Sequence, residues 1–264
     1  MRFLVNLSNW RLAREFAIRD IQGTYSRSRL GLAWIAITPL GVLAIYWIVF
    51  SYVLGVSWTA PGHEGNFGYA LPFFCGLVPY LAFADSLSSA TRQFETKRTL
   101  VTRAAFPLIV VPASSWLRSI VVAAPGLLFL LVVAAFQGAS PTWATLTFLG
   151  GLLCMVVATG GLALLLSAVG AFFGDLQHSL QLIVRLLFYT APISYPLNAA
   201  PERVQPLLLL NPLTSITEWI RTPLLFGTAP PFEVVAIATG YSAGIFVLGA
   251  VVFFRVNRAI PDVL

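Results

Sequence analysis

Charge is what this sequence has least of. Only 10% of its 264 residues are Asp, Glu, Lys or Arg, against about 25% in a typical soluble domain. Lysine is almost missing, since Lys97 stands alone beside fifteen arginines. That scarcity bears on energy use. A phosphate-cradling loop needs the pattern G-x-x-x-x-G-K-[ST], and here Glu95-Thr96 precedes the only lysine, so the chain does not hold ATP by that motif. No H-E-x-x-H, G-x-S-x-G or calcium-loop pattern occurs either. We therefore expect no enzymatic site, no metal and no cofactor of the chain's own. Cysteine is nearly absent too. Cys75 and Cys154 each lie in an apolar run, without a C-x-x-C pair or a histidine cluster, which argues against a disulfide or metal site.

What is present is hydrocarbon. Hydrophobic residues make up 58% of the chain, and the mean hydropathy is +0.84. A bilayer core of about 30 Å takes about 20 apolar residues in a helix. Six runs meet or approach that length: Leu30 to Gly55, Tyr69 to Ser89, Leu108 to Phe136, Trp143 to Phe173, Leu180 to Tyr195 and Phe232 to Phe254. The fifth is short and meets Pro192 and Pro196, and the fourth is long enough to tilt or overhang. The expectation is an all-α integral membrane protein with six transmembrane helices, residues 30–264, behind a cytoplasmic segment, residues 1–29.

The net charge of +6 reads as the basic bias of cytoplasmic loops, with no nucleic-acid partner implied. Arg2, Arg11, Arg14, Arg19, Arg27 and Arg29 precede the first run. Arg92, Lys97, Arg98 and Arg103 follow the second, and Arg255 and Arg258 follow the last. The alternate loops hold only Arg203 and Arg221, so twelve cations face two, and both termini are expected in the cytoplasm. The first 29 residues offer no apolar core of 7–15 residues, so a cleavable leader is not expected.

Two segments are not ordinary spans. On a helical wheel, Asn9 to Gln22 puts Trp10, Leu12, Ala13, Phe16, Ala17 and Ile21 on one side. Arg11, Arg14, Glu15, Arg19 and Gln22 fall on the other, with Asp20 out of place on the apolar side. Such a helix suits the cytoplasmic membrane interface. Residues 196–226 hold short apolar pieces broken by Pro196, Pro201, Pro206, Pro212 and Pro223. Pieces shorter than a span read as re-entrant or interfacial helices, tolerated only against protein or a watery cavity.

Charges near the spans (Asp85, Asp175, Glu218, Arg118, Arg185) are candidates for ion coupling, but structural pairing at the membrane interface is favoured. Aromatic residues are plentiful, at 13%. They form interface belts or line a path, since rings pack on the C–H faces of sugars. The path candidates are Tyr46, Tyr52, Phe74, Tyr80, Phe188 and Tyr189.

Several motifs carry a family resemblance. Arg19-Asp20, Tyr25, Ser28, Leu30-Gly31, Trp34 and Pro39 form an R-D-x-x-x-x-Y-x-x-S-x-L-G-x-x-W-x-x-x-x-P run. Phe106-Pro107 with Pro112 follow, then Phe172-Phe173-Gly174-Asp175-Leu176, then Asn211-Pro212-Leu213-Thr214 with Glu218 and Arg221, then Phe253-Phe254-Arg255. In this order the chain resembles the ABC-2 permeases of polysaccharide export. One departure is Gly174, where that family usually carries Arg.

The resemblance implies a homodimeric permease for a lipid-linked polysaccharide such as O-antigen or capsule, in the bacterial inner membrane, powered by two separate P-loop ATPase subunits that hold ATP and Mg. It implies a coupling segment over residues 95–105, with Glu95, Lys97, Arg98, Leu100 and Arg103 meeting the ATPase, and re-entrant helices over residues 196–226. The basic residues Arg11, Arg14, Arg19, Arg27 and Arg29 would contact the pyrophosphate of the lipid carrier, or else the head groups of membrane lipids. Two alternatives remain open at this point, an ABC-2 exporter of a small hydrophobic compound and an ion-coupled secondary transporter.

Overall fold

The computed structural model describes residues 7–26, 28–53, 69–103, 106–136 and 142–263. Helices follow one another with no strand among the described residues. They are α1 (Leu7–Tyr25), α2 (Trp34–Trp47, continued by a π-helical turn Ile48–Val53), α3 (Ala70–Thr96), α4 (Arg98–Arg103), α5 (Val110–Phe136), α6 (Trp143–Leu146), α7 (Phe148–Phe172), α8 (Leu176–Thr190), α9 (Gln205–Leu209), α10 (Pro212–Phe226), α11 (Phe232–Val256) and α12 (Ile260–Val263).

Among the described residues four helices are long and apolar enough to cross a membrane: α3, α5, α6 with α7, and α11. The first and fifth apolar runs give shorter helices than expected. In the first, a turn at residues 28–33 takes up the run's opening residues, and Gly55 lies outside the described residues. In the fifth, α8 starts at Leu176 and stops at Thr190, 15 residues and about 22 Å long. Pro192 disfavours helical backbone at Ala191, whose ψ is 141°.

Helix α3 is the central post. At 27 residues it is about 40 Å long, so it outreaches the bilayer core by about 10 Å. It packs on α5, α7, α8 and α10, and it is the most enclosed of the four long helices, whereas α11 is the least. Buried Phe73, Phe74, Leu77, Val78 and Phe83 form its core face with Leu130, Ile193, Leu213, Ile216 and Ile220. In lipid the hydrophobic effect between helices is weak, so close approach and interhelical hydrogen bonds matter more. Both occur here. A Cβ on Gly249 of α11 would sit 2.1 Å from the Gly161 carbonyl oxygen of α7, so that crossing requires glycine. Ser86 donates to the Thr159 carbonyl at 3.0 Å, and Trp116 to the Val156 carbonyl at 2.8 Å.

The amphipathic expectation for residues 9–22 falls within α1. Ala13, Ala17 and Ile21, spaced by four, are buried, and α1 lies along α5. Arg11, Arg14, Glu15, Arg19 and Gln22 are exposed. The following turn explains part of the sequence motif. The Ser28 hydroxyl accepts from the Leu30 N–H at 3.3 Å and from the Trp34 indole N–H at 2.8 Å. Gly31 has φ +51°, a conformation open to glycine.

At the opposite end, Asn211 caps α10. Its side chain accepts from the Leu213 N–H at 2.9 Å, with Pro212 in the first helical turn. Its amide also donates to the Leu187 carbonyl and the Thr190 hydroxyl, at 3.0 and 2.9 Å, so one side chain joins α10 to the end of α8. The 15-residue α10 buries ten residues against α3 and α7. Gly227 closes it at φ +61°.

Candidate functional site

Helices α3 and α8 pack on each other and leave a cavity between them. On α8, Gln177, Gln181 and Arg185 recur every fourth residue and share one stripe. On α3, Tyr80, Ala84 and Ser88 do the same, with Asp85 alongside. Together with Leu81, Val122, Leu180 and Val184 these residues line a cavity of ≈ 490 Å³.

Above the cavity the rings take over. Tyr80 and Phe188 meet edge-on at 4.9 Å. Phe188 touches Tyr46 at 5.8 Å and Tyr189 at 5.4 Å. Tyr46 stacks on Phe73 at 4.8 Å, and Phe73 on Tyr69 at 5.7 Å. The ladder climbs from Tyr80 to Tyr69, about 16 Å along α3, and the Tyr69 hydroxyl donates to the Ser194 carbonyl at 3.2 Å. Of the six path candidates, Tyr46, Tyr80, Phe188 and Tyr189 thus belong to one cluster. Phe74 is 1% exposed and packs on Phe129 at 4.7 Å, inside the core. The side chain of Tyr52 lies outside the described residues.

Charges below the ladder are mostly paired. Arg118 of α5 sets its Nε 3.2 and 3.3 Å from the two Asp85 oxygens. Its Nη1 donates to the Thr24 hydroxyl at 2.9 Å and to the Asp20 carbonyl at 3.4 Å. Lys97, expected on a docking rim, is 5% exposed. Its ammonium donates to Asp20 at 2.8 Å, to the Ser114 hydroxyl at 3.0 Å and to the Gln93 amide oxygen. It also lies 5.1 Å from the centre of the Phe16 ring. Burial pulls the Lys97 pKa below the ordinary lysine value, and the bonded Asp20 carboxylate opposes that pull. Asp20, the residue out of place on the helical wheel, faces the bundle because its partner is there.

The rest of the expected coupling segment is outward. Glu95, Arg98 and Leu100 are exposed, while Val101 anchors α4 beside Phe94, Ile109, Leu164 and Phe253. The Arg103 side chain and residues 104–105 lie outside the described residues, as does Arg27. Arg11, Arg14, Arg19 and Arg29 are exposed, and none of them lines the cavity.

A third paired cation, Arg221, lies at the far end of α3. It is 3% exposed, pairs with Glu218 at 2.5 Å, and donates to the carbonyls of Pro72 and Pro192 at 3.2 and 2.7 Å. Sequence reasoning missed the glutamine stripe of α8, although its spacing of four in an otherwise apolar helix was a readable signal.

Four membrane-length helices, with a cavity between α3 and α8 that adjoins an aromatic ladder, give the build of a multi-pass membrane protein. The chain belongs to the ABC-2 type transporter family, whose model matches residues 13–225. It is 28% identical over 200 residues to the O-antigen export system permease protein RfbA of Myxococcus xanthus, covering 75% of this chain and 74% of that one. A Klebsiella pneumoniae protein of the same name is 27% identical over 255 residues, with 93% and 92% covered. The polysialic acid transport protein KpsM of Escherichia coli is 24% identical over 222 residues, 80% of each chain.

Proposed function

We propose that this chain is the permease subunit of an ATP-driven exporter that moves a lipid-linked polysaccharide across the bacterial inner membrane. The observation that carries the reading is the near full-length similarity to permeases named for O-antigen export. The site supports it chemically. Hydroxyl-rich rings need hydrogen-bonding groups and flat apolar faces in turn, and the glutamines and Arg185 of the cavity and the aromatic ladder beside it offer both.

In this reading α2 and α8 complete six spans, α9 and α10 are the re-entrant pair, and both termini are cytoplasmic. Two copies form the path, and two P-loop ATPases supply ATP and Mg. The exposed Glu95, Arg98 and Leu100 on and beside α4, with Arg103, seat against the ATPase by an apolar anchor and a charged rim. Lys97 acts one step behind that rim, because its bond to Asp20 carries displacement of α4 directly into α1. The basic face of α1 (Arg11, Arg14, Arg19), with Arg27 and Arg29, receives the carrier's phosphates.

Disruption of the gene in its host tests the reading. Loss of surface glycan with intracellular glycolipid accumulation, restored by the intact gene, is the expected result. Unchanged surface glycan together with altered resistance to hydrophobic compounds would point to the small-molecule exporter instead.

A further inference from the structure

Three cations in the body of this bundle have carboxylate partners. Lys97 has Asp20 at 2.8 Å, Arg118 has Asp85 at 3.2 Å and Arg221 has Glu218 at 2.5 Å. Arg185 has none among the described residues, and no hydrogen bond to a described residue either. Its position makes that unusual. It is the tenth of the 15 residues of α8, about 14 Å from the helix start, and it lines the cavity. A side chain of α8 leans toward the helix N-terminus, which brings the guanidinium toward Gln181, one turn below on the same stripe. Gln177 lies one turn below that, and neither glutamine bonds to a described residue. Asp85, the acid of this cavity, already has both oxygens turned to Arg118. The cavity therefore holds one uncompensated positive charge and two adjacent carboxamides, which is the donor set for an oxyanion.

We propose that Arg185, with Gln181 and Gln177, forms an anion subsite on the wall of the open cavity between α3 and α8 that holds a phosphate ester of the lipid-linked cargo. This rests on the export reading above. Arg185 and Gln181 are exposed on the wall of this open cavity, and cations that face a water-filled cavity of a membrane protein mark substrate pathways. A guanidinium fork matches phosphate oxygens in two directions at once, as an ammonium does not. The cavity volume of ≈ 490 Å³ lies in the range of ligand sites, about 300–1,000 Å³. Tyr80 lines the same cavity and starts the ladder, so an anchored phosphate presents the attached sugars to the first ring. The exposed arginines of α1 can attract the anion, and Arg185 holds it beside Tyr80.

Phosphate esters also occur on ordinary phospholipids, so the test separates the two sources. The full-length permease with its ATPase partner is placed in phosphatidylcholine nanodiscs and titrated with a long-chain polyprenyl diphosphate and, separately, with the neutral polyprenyl alcohol. The wild type should prefer the diphosphate. Arg185→Gln should lose about tenfold in diphosphate affinity with the alcohol unchanged, the size of one charge-assisted contact. Arg185→Lys should keep part of the preference. The pair Arg185→Gln with Gln181→Arg moves the charge one turn along the stripe and should restore some of it, which guards against a variant that merely folds badly. Equal diphosphate affinity in wild type and Arg185→Gln overturns the subsite while leaving the export reading intact. Displacement of the diphosphate by an equal mole fraction of phosphatidylglycerol also overturns it, in favour of a bulk-lipid site. A wild type that binds neither polyprenyl lipid overturns the export reading itself.

Discussion

Arg221 and Arg185 belong to the same apolar bundle and keep opposite company. Arg221 is enclosed at the far end of α3, with an acid and two backbone carbonyls around its guanidinium. Arg185 lines an open cavity, with no carboxylate among the described residues. A charge saturated by its own chain fixes the positions of helices, here α3, α10 and the segment after α8. A charge left without a partner adds nothing to that framework and remains available to something that passes. Lys97 and Arg118 fall between these extremes. They are saturated, and their partners sit on α1, α3 and α5, so they tie α1 to the bundle.

This contrast orders the mutational effects. Arg221→Met should be the most damaging. Breaking a buried pair costs about 3–5 kcal/mol, and Glu218 and the Pro72 and Pro192 carbonyls would lose their donor. Unfolding in mild detergent by SDS titration should show little folded protein, and Arg221→Lys should not rescue it, because one ammonium cannot replace the fork. Asn211→Ala comes next, at about 2–3 kcal/mol, since it removes a helix cap and the two bonds to the end of α8.

Lys97→Met should cost about 1–3 kcal/mol by leaving Asp20 without its cation. Adding Asp20→Asn to it should cost less than the two single changes together, and a double-mutant cycle by the same titration would reveal that coupling. Ser28→Ala should cost about 1 kcal/mol through the lost Trp34 and Leu30 bonds. Arg185→Gln should lie within about 0.5 kcal/mol of wild type yet reduce export. If instead it destabilised the protein as Arg221→Met does, the distinction between the two arginines would vanish.

Much of this was legible in the chain. Apolar length foretold the four long helices, and the helical wheel of residues 9–22 put Ala13, Ala17 and Ile21, which are buried, on one side with Trp10 and Leu12, which are exposed. Asp20 stood on the wrong side of the wheel, and periodicity along one helix cannot identify a partner 77 positions away. That is why Lys97, read from its basic neighbours Arg98 and Arg103 as part of an outward rim, proved to be inside. The extent of α8 was missed for a local reason, since apolar composition continues past Thr190 while the proline at 192 ends the helix. Ring contacts between Tyr46, Phe73 and Phe188 join three helices, and nothing in the spacing of residues within each one encodes them.

In the proposed reading this membrane bundle moves its cargo with energy supplied by a separate subunit. Reconstitution into proteoliposomes with a fluorescent lipid-linked oligosaccharide tests it directly, with and without a co-expressed P-loop ATPase. ATP-dependent transfer of the label across the bilayer should appear only when both subunits are present. Sustained transfer by the purified chain alone, driven by an ion gradient, would contradict it.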